Sequence, residues 1–229
     1  MREIVLDTET TGLSPARGDR VVEIGCVELL HHLPTGKTYH VYLNPQRDMP
    51  EEAFNIHGLS GKFLSDKPLF RDIAEEFIEF IADATLVIHN ASFDIGFLNW
   101  ELKAIDRPLI DNAQVLDTLA LARKKFAGAS SSLDALCRRF HIDNSNRVKH
   151  GALLDSELLA EVYLELIGGA QPHLTLISDE VSQNQTAHSS HEYGARPNPL
   201  KSRLTEAEVK AHNTFLLELG EDIIWKKNS

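Results

Sequence analysis

The hydrophobic period of this chain changes between Leu43 and Pro68. Before that point residues 3–43 read as strands. Ile4-Val5-Leu6 is a short buried run, Val21–Leu30 sets Val22, Ile24 and Cys26 against Val21, Glu23 and Val27, and Lys37–Leu43 alternates again. Leu33-Pro34-Thr35-Gly36 reads as the turn between the second and third strands. After Pro68 the spacing is helical, with Ile73, Phe77, Ile78 and Ile81 on one face of Pro68–Ala82. Further helices are expected over Phe93–Ile105, Leu133–Phe140 and Ala152–Ile167, with short strands at Leu86-Val87-Ile88 and Val115-Leu116. An antiparallel meander followed by alternating helix and strand predicts an α/β domain, a mixed sheet with helices on its faces.

Gly168-Gly169 ends the last helix of that domain. Residues 178–190 are polar throughout and bury too little apolar area to offset the entropy of ordering, so they read as a linker. Thr205-Glu206-Ala207-Glu208 is a capping box, and Val209, Phe215, Leu216 and Leu219 follow on a helix ending at Gly220. Ile223-Ile224-Trp225 is a last apolar cluster. The expected layout is a domain over 1–169, a linker over 170–203 and a docking segment over 204–229, since the tail has too little core to fold alone.

With 23 basic and 34 acidic residues the net charge is −11, which argues against a protein that grips long nucleic acid by neutralising phosphates. It leaves open chemistry on a phosphodiester in which metal ions bridge acidic residues to the substrate. Two cysteines, Cys26 and Cys137, exclude a disulfide scaffold and a four-cysteine zinc site, and both sit in apolar patterns. No apolar run is long enough to span a membrane, and Met1-Arg2-Glu3-Ile4 leads straight into a strand rather than a signal peptide. A cytoplasmic protein without membrane contact is expected.

Asp7 and Glu9 lie two apart on the first strand and point to one face. Such a pair repels itself unless a cation sits between. Asp94 opens the helix after the strand 86–88, and Asp155 opens the helix 152–167 with His150 in its lead-in. An acidic residue in a first helical turn satisfies the helix dipole with no further role. The conjunction of Asp7, Glu9, Asp94, Asp155 and His150 is what suggests a site, and oxygen ligands of this kind suit Mg²⁺ or Mn²⁺ rather than zinc.

Val5-Leu6-Asp7-Thr8-Glu9-Thr10-Thr11-Gly12-Leu13, Val87-Ile88-His89-Asn90-Ala91-Ser92-Phe93-Asp94 and His150-Gly151-Ala152-Leu153-Leu154-Asp155 resemble the three motifs of the DEDDh 3′→5′ exonucleases, above all their proofreading branch in bacterial replication. Glu23-Ile24-Gly25, Ile56-His57-Gly58-Leu59 and Ser132-Leu133-Asp134-Ala135-Leu136-Cys137 also fit. The resemblance covers about residues 1–170, with a similar tail, and implies a ribonuclease H-like fold. It makes Asp7, Glu9, Asp94 and Asp155 the ligands of two Mg²⁺ or Mn²⁺ ions, with Asp7 bridging, and His150 the general base. It implies that Asp7, Thr8, Glu9, Thr10, Leu13, His57 and Asp155 hold the terminal nucleotide of a DNA 3′ end, single-stranded or frayed. His89 and Asn90 read as loop-capping residues, and His31 and His32 as surface residues.

Two partner signals remain. Gln171-Pro172-His173-Leu174-Thr175-Leu176 resembles the short motif that binds a sliding clamp, with Gln171, Leu174 and Leu176 as anchors. Phe215, Leu216 and Trp225 beyond the linker have no core to join, so a larger catalytic polymerase subunit, of the alpha type, is the expected partner. A proofreading exonuclease subunit is the first reading; an RNA-trimming enzyme of the same family and a non-catalytic scaffold joining polymerase and clamp are the others.

Overall fold

The computed structural model describes residues 1–169 and 204–218. The chain has two compact units, Met1–Leu176 and Ile177–Ser229. In the first, β1 (Arg2–Thr10), β2 (Val21–Leu30) and β3 (Leu33–Tyr42) form the antiparallel meander that their alternation predicts. β4 (Thr85–Ile88) and β5 (Val115–Asp117) add in parallel, giving a five-stranded mixed sheet in the order β3-β2-β1-β4-β5.

The turn between β2 and β3 is not at Leu33–Gly36. It is His31-His32, both left-handed, with φ of 52° and 68°. The backbone N–H of His31 donates to the Met1 carbonyl, and His32 bonds through its N–H and its ring to the buried carboxylate of Glu3. These contacts hold both histidines in place, so His32 is not simply a surface residue. The Pro-Thr-Gly signal is used instead for a bulge, where pairing slips between Val27 and Leu29 opposite Gly36 at φ 86°.

Helices cover both faces of the sheet. On one, Ile4, Leu6, Ile24, Leu86 and Ile88 pack against α3 (Phe70–Ile81) and α4 (Ala91–Ala104). On the other, Val5, Val27, Leu29 and Val87 pack against α5 (Thr118–Lys125), α6 (Leu133–Phe140) and α7 (Ala152–Leu166). The period of two along β1 decides which residue faces which layer. Cys26 and Cys137 are buried, unbridged members of these two cores.

Three helices occur where the periodicity gives none. The first two, α1 (Glu51–His57) and α2 (Gly61–Leu64), are too short to show an apolar stripe. α5 depends on its cap, since the Asp117 carboxylate accepts from the N–H groups of Leu119 and Ala120.

In the second unit the described element is α8 (Glu206–Glu218), opened by the expected capping box: Glu208 accepts from the Thr205 N–H at 2.7 Å and Thr205 from the Glu208 N–H at 3.3 Å. Phe215 is exposed and Leu216 half-buried. Gln171, Leu174, Leu176 and Trp225 lie outside the described residues. Among the described residues no helix is long and apolar enough to cross a membrane.

Candidate active site

β4 stops level with Leu6, the last pair between β1 and β4 being Leu6 with Ile88. From Asp7 onward β1 keeps β2 on one side and loses its parallel neighbour on the other. The Thr8 N–H, which has no further rung to join, donates to Asp94 Oδ1 at 3.0 Å, and the Thr8 hydroxyl donates to the same oxygen at 2.6 Å. The first turn of α4 is thereby fastened to β1, with Asp94 buried at 3% exposure.

Asp7 and Glu9 face the opposite layer, towards α7. The cross-strand partner of Asp7 is Gly25, and a side chain there would overlap the backbone of Ala152 and Leu153. The absence of a Cβ lets the start of α7 rest on the sheet. The Ser156 hydroxyl donates to the Gly25 carbonyl at 2.9 Å, and Asp155, 3% exposed, comes to stand beside Asp7 and Glu9.

A guanidinium reaches this group from the loop before α7. Arg147 donates through Nε to Asp155 Oδ1 and through Nη2 to Asp155 Oδ2, both at 2.6 Å, and through Nη1 to Asp134 Oδ1 of α6 at 2.8 Å. His150 Nδ1 lies 2.8 Å from Arg147 Nη2 and 3.3 Å from Asp155 Oδ2. The two contacts demand opposite tautomers: Nδ1 accepts from Arg147 or, protonated, donates to Asp155. Only the second leaves Nε2 free to take a proton.

These residues form the floor and one wall of a cleft of about 850 Å³. Leu13, which is 85% exposed, and Phe93 line it, as do Arg123 and the serine-rich turn before α6. Thr10 and His57 do not line it. The Thr10 hydroxyl donates to the Gly12 carbonyl at 2.6 Å inside the turn. His57 is buried at the end of α1 and accepts the Leu59 N–H on Nδ1, and its Nε2 has no hydrogen-bond partner among the described residues. Burial, helped by the charge of Lys149, lowers its pKa to about 4, so it stays neutral. His89 bonds Thr118 through Nδ1, whereas the Asn90 side chain caps nothing; its left-handed backbone, φ 68°, makes the turn into α4.

Arg147 and Asp134 are absent from the sequence-based site. Arg147 sits in a polar loop with no periodicity, and its only signal is a cation three residues before His150. Glu23, recognised only within a motif, is buried opposite Glu9 and is held by His40 Nε2 at 2.7 Å.

The electrostatics follow from one guanidinium facing several carboxylates. Burial and then the charges of Asp94, Glu9 and Asp155 push Asp7 well above the usual carboxylate range. Burial, Asp155 and Glu23 push Glu9 up to about 8. Burial raises Asp94 to about 7 against the pull of its bonds to Thr8. Asp155 alone is lowered, because the hydrogen bonds of Arg147 and His150 outweigh its burial. Among the described residues Arg147 pairs with Asp155, and no cation pairs with Asp7, Glu9 or Asp94. Glu9, His150 and Asp155 each offer a ligand atom within 4.8 Å of the others, and the oxygen-rich donor set fits a hard divalent cation.

The chain matches the exonuclease family over residues 4–163. It is 49% identical to the DNA polymerase III subunit epsilon of Rickettsia conorii over 219 residues, 94% of this chain and 95% of the relative. It is 43% identical to the subunit of the same name from Escherichia coli, over 99% of this chain and 94% of that one. Among solved structures its fold is similar to the nuclease domain of 3′hExo, a DEDDh family member, with TM-score 0.62 and 16% identity over 72% of this chain and 91% of the other. It is also similar to exonuclease X in complex with 5′-overhanging duplex DNA, with TM-score 0.57 and 24% identity over 72% and 90%. These likenesses identify the mixed sheet as the ribonuclease H-like exonuclease fold. With the family matched over most of its length and subunit epsilon relatives aligned along nearly all of it, the chain belongs to the metal-dependent DEDDh-type 3′→5′ exonucleases of the DNA polymerase III epsilon group.

Proposed function

We propose that Asp7, Glu9, Asp94, Asp155 and His150 remove nucleoside monophosphates one at a time from a DNA 3′ end, as the proofreading activity of a replicative polymerase. The observation that carries this is the meeting of four acidic side chains from β1, α4 and α7 on one cleft floor, with a histidine beside them. Two Mg²⁺ or Mn²⁺ ions would be held by these carboxylates, with Asp7 shared between them, Glu9 and Asp155 serving one and Asp94 the other. Such ions, when bound, stabilise charge on the attacking and leaving oxygens of the displacement. Asp155 accepts a hydrogen bond from the Nδ1–H of His150, which fixes the tautomer and leaves the Nε2 lone pair to accept the proton of the attacking water. Thr8 keeps Asp94 on the floor. Leu13, exposed at the cleft edge, packs against the terminal nucleotide. Thr10 shapes the turn beneath Leu13, and His57 supports the His150 loop, whose N–H at His150 donates to the Ile56 carbonyl at 3.2 Å.

The same reading gives residues 1–169 the nuclease, 170–203 the linker and 204–229 the docking of an alpha-type polymerase subunit through Phe215, Leu216 and Trp225. Gln171, Leu174 and Leu176 are the proposed clamp contact. The site of action is the cytoplasm. The test measures single-nucleotide release from single-stranded DNA and from RNA of the same sequence with Mg²⁺, together with capture of the polymerase subunit by the full chain and by 1–169. Release from DNA by both forms, with capture by the full chain alone, is expected. Preference for RNA favours the RNA-trimming reading, and no release from either makes the chain a scaffold.

A further inference from the structure

We infer that the strand behind the 3′ end leaves the cleft along the wall built by the ends of α5 and α6. There Arg123, Lys124, Arg138 and Arg139 hold its backbone phosphates beside the hydroxyl of Ser130. The inference rests on the nuclease reading and adds the path of the substrate.

The chain as a whole is strongly acidic, with net charge −11, yet this wall gathers cations. The last turn of α5 is Arg123-Lys124-Lys125, and the last turn of α6 contains Arg138 and Arg139. The two ends meet at one ring: the Arg139 guanidinium lies 4.4 Å over Phe126, and Lys125 Nζ 5.8 Å from the same ring. Dipole complementarity accounts for cations at helix ends when they face the last carbonyls. Lys125 does so, but for α7, donating to the Leu166 carbonyl at 2.9 Å. Arg139 faces a ring instead, and Arg138 spends only its Nε, on the Asp134 carbonyl. Arg123, Lys124, Arg138 and Arg139 are exposed, and none forms an ion pair with a described residue.

Continuity with the site is the second observation. Arg123 and Ser130 line the catalytic cleft, and Ser130 also lines a shallow neighbouring hollow with Ala135, Arg138 and Arg139. A chain seated with its end on the carboxylates reaches the cationic wall by way of Ser130, which both hollows share, and Asp134, the acidic residue on that wall, is paired to Arg147. The hollow offers guanidinium groups and a hydroxyl, with Ala135 its one apolar residue, so its occupant is a phosphodiester backbone rather than an apolar peptide. Contacts of this type carry no base preference, which suits an enzyme that must accept any sequence.

The experiment compares two substrates of the full-length protein with Mg²⁺. One is single-stranded oligothymidylate. The other is the nitrophenyl ester of thymidine monophosphate, which has a scissile ester but no upstream phosphate. In the Arg138→Gln/Arg139→Gln variant, kcat/KM for the oligomer relative to the ester should fall by roughly tenfold, through KM. The slope of log kcat/KM against log salt should become shallower by about 1.4, since each phosphate contact on a single strand contributes about 0.7. Lys124→Gln/Arg138→Gln, which leaves the Phe126 contact intact, should give the same pattern and guards against a folding defect. A parallel fall on both substrates, or an unchanged salt slope in both variants, overturns the inference. A wild-type protein inert on both substrates instead removes the nuclease reading on which it rests.

Discussion

The Ser156 hydroxyl donates to the Gly25 carbonyl at 2.9 Å, and this contact sets where Asp155 stands relative to Asp7. Gly25→Ala should force α7 off the sheet, because its methyl group meets the backbone of Ala152 and Leu153 rather than a movable side chain. The expected cost is about 1–3 kcal/mol of stability and, from a shift of order 1 Å in Asp155, about 10²-fold in turnover. Denaturant melts and single-turnover rates check this; a variant with unchanged rate means that α7 is not fixed by that contact.

Asp7→Asn should abolish nucleotide release while raising the melting temperature in the presence of a chelator. Burial, and then the charges of Asp94, Glu9 and Asp155, penalise an ionised Asp7, and the neutral amide removes that penalty. A variant that melts lower than the wild type in chelator contradicts the electrostatic account.

The raised carboxylates also dictate a pH dependence. Glu9 rises from an ordinary 4.5 to about 8, and Asp94 from 3.8 to about 7. A group whose pKa is higher in the folded state gives stability that is fully present below its unfolded value and lost as pH climbs through the folded one. In chelator the melting temperature should therefore decline from mildly acidic pH to about pH 8, and saturating Mg²⁺ should remove the decline. Asp155, lowered by Arg147 and His150, acts in the opposite sense and only at the acid end. A flat profile in chelator refutes the assignment.

Arg147→Ala separates two roles of the guanidinium fork. It removes a positive charge from the metal-binding floor, so Mn²⁺ affinity by calorimetry should rise, by roughly threefold or more. It also frees Asp155 and His150 from a common anchor, so turnover should drop by about tenfold. Weaker Mn²⁺ binding means that the fork presents Asp155 to the ion instead of competing for it.

His150→Ala should slow turnover by roughly 10²–10⁴-fold with Mn²⁺ binding largely kept, as for the loss of a general base. A loss of less than tenfold means that another group takes the proton.

The sheet and the acidic floor were legible because they obey short-range rules. Asp7 and Glu9 share a face by the period of two, and Asp94 and Asp155 open helices whose apolar faces are long enough to read. Arg147 was not legible, because nothing local marks a loop cation whose partners lie on α6 and α7. The His31-His32 turn was missed because a stronger turn signal three residues later serves a bulge. His57 reads from its motif as a contact of the terminal nucleotide; its burial at the end of the seven-residue α1 comes from tertiary packing, which no local pattern marks.

β1 threads both cores and then supplies the floor of the cleft, so its phase is shared by everything downstream. Deleting one residue between Arg2 and Leu6 puts the two parts of the strand out of phase, so that either the residues before the deletion or Asp7 and Glu9 turn to the wrong layer. Lengthening the hairpin at His31-His32, at the far end of the sheet, leaves that phase untouched. The gene therefore has a frame within its frame: over a few codons of β1 an in-frame loss disturbs a core or the site, while an added residue in the hairpin costs only the local bonds of His31 to Met1 and of His32 to Glu3.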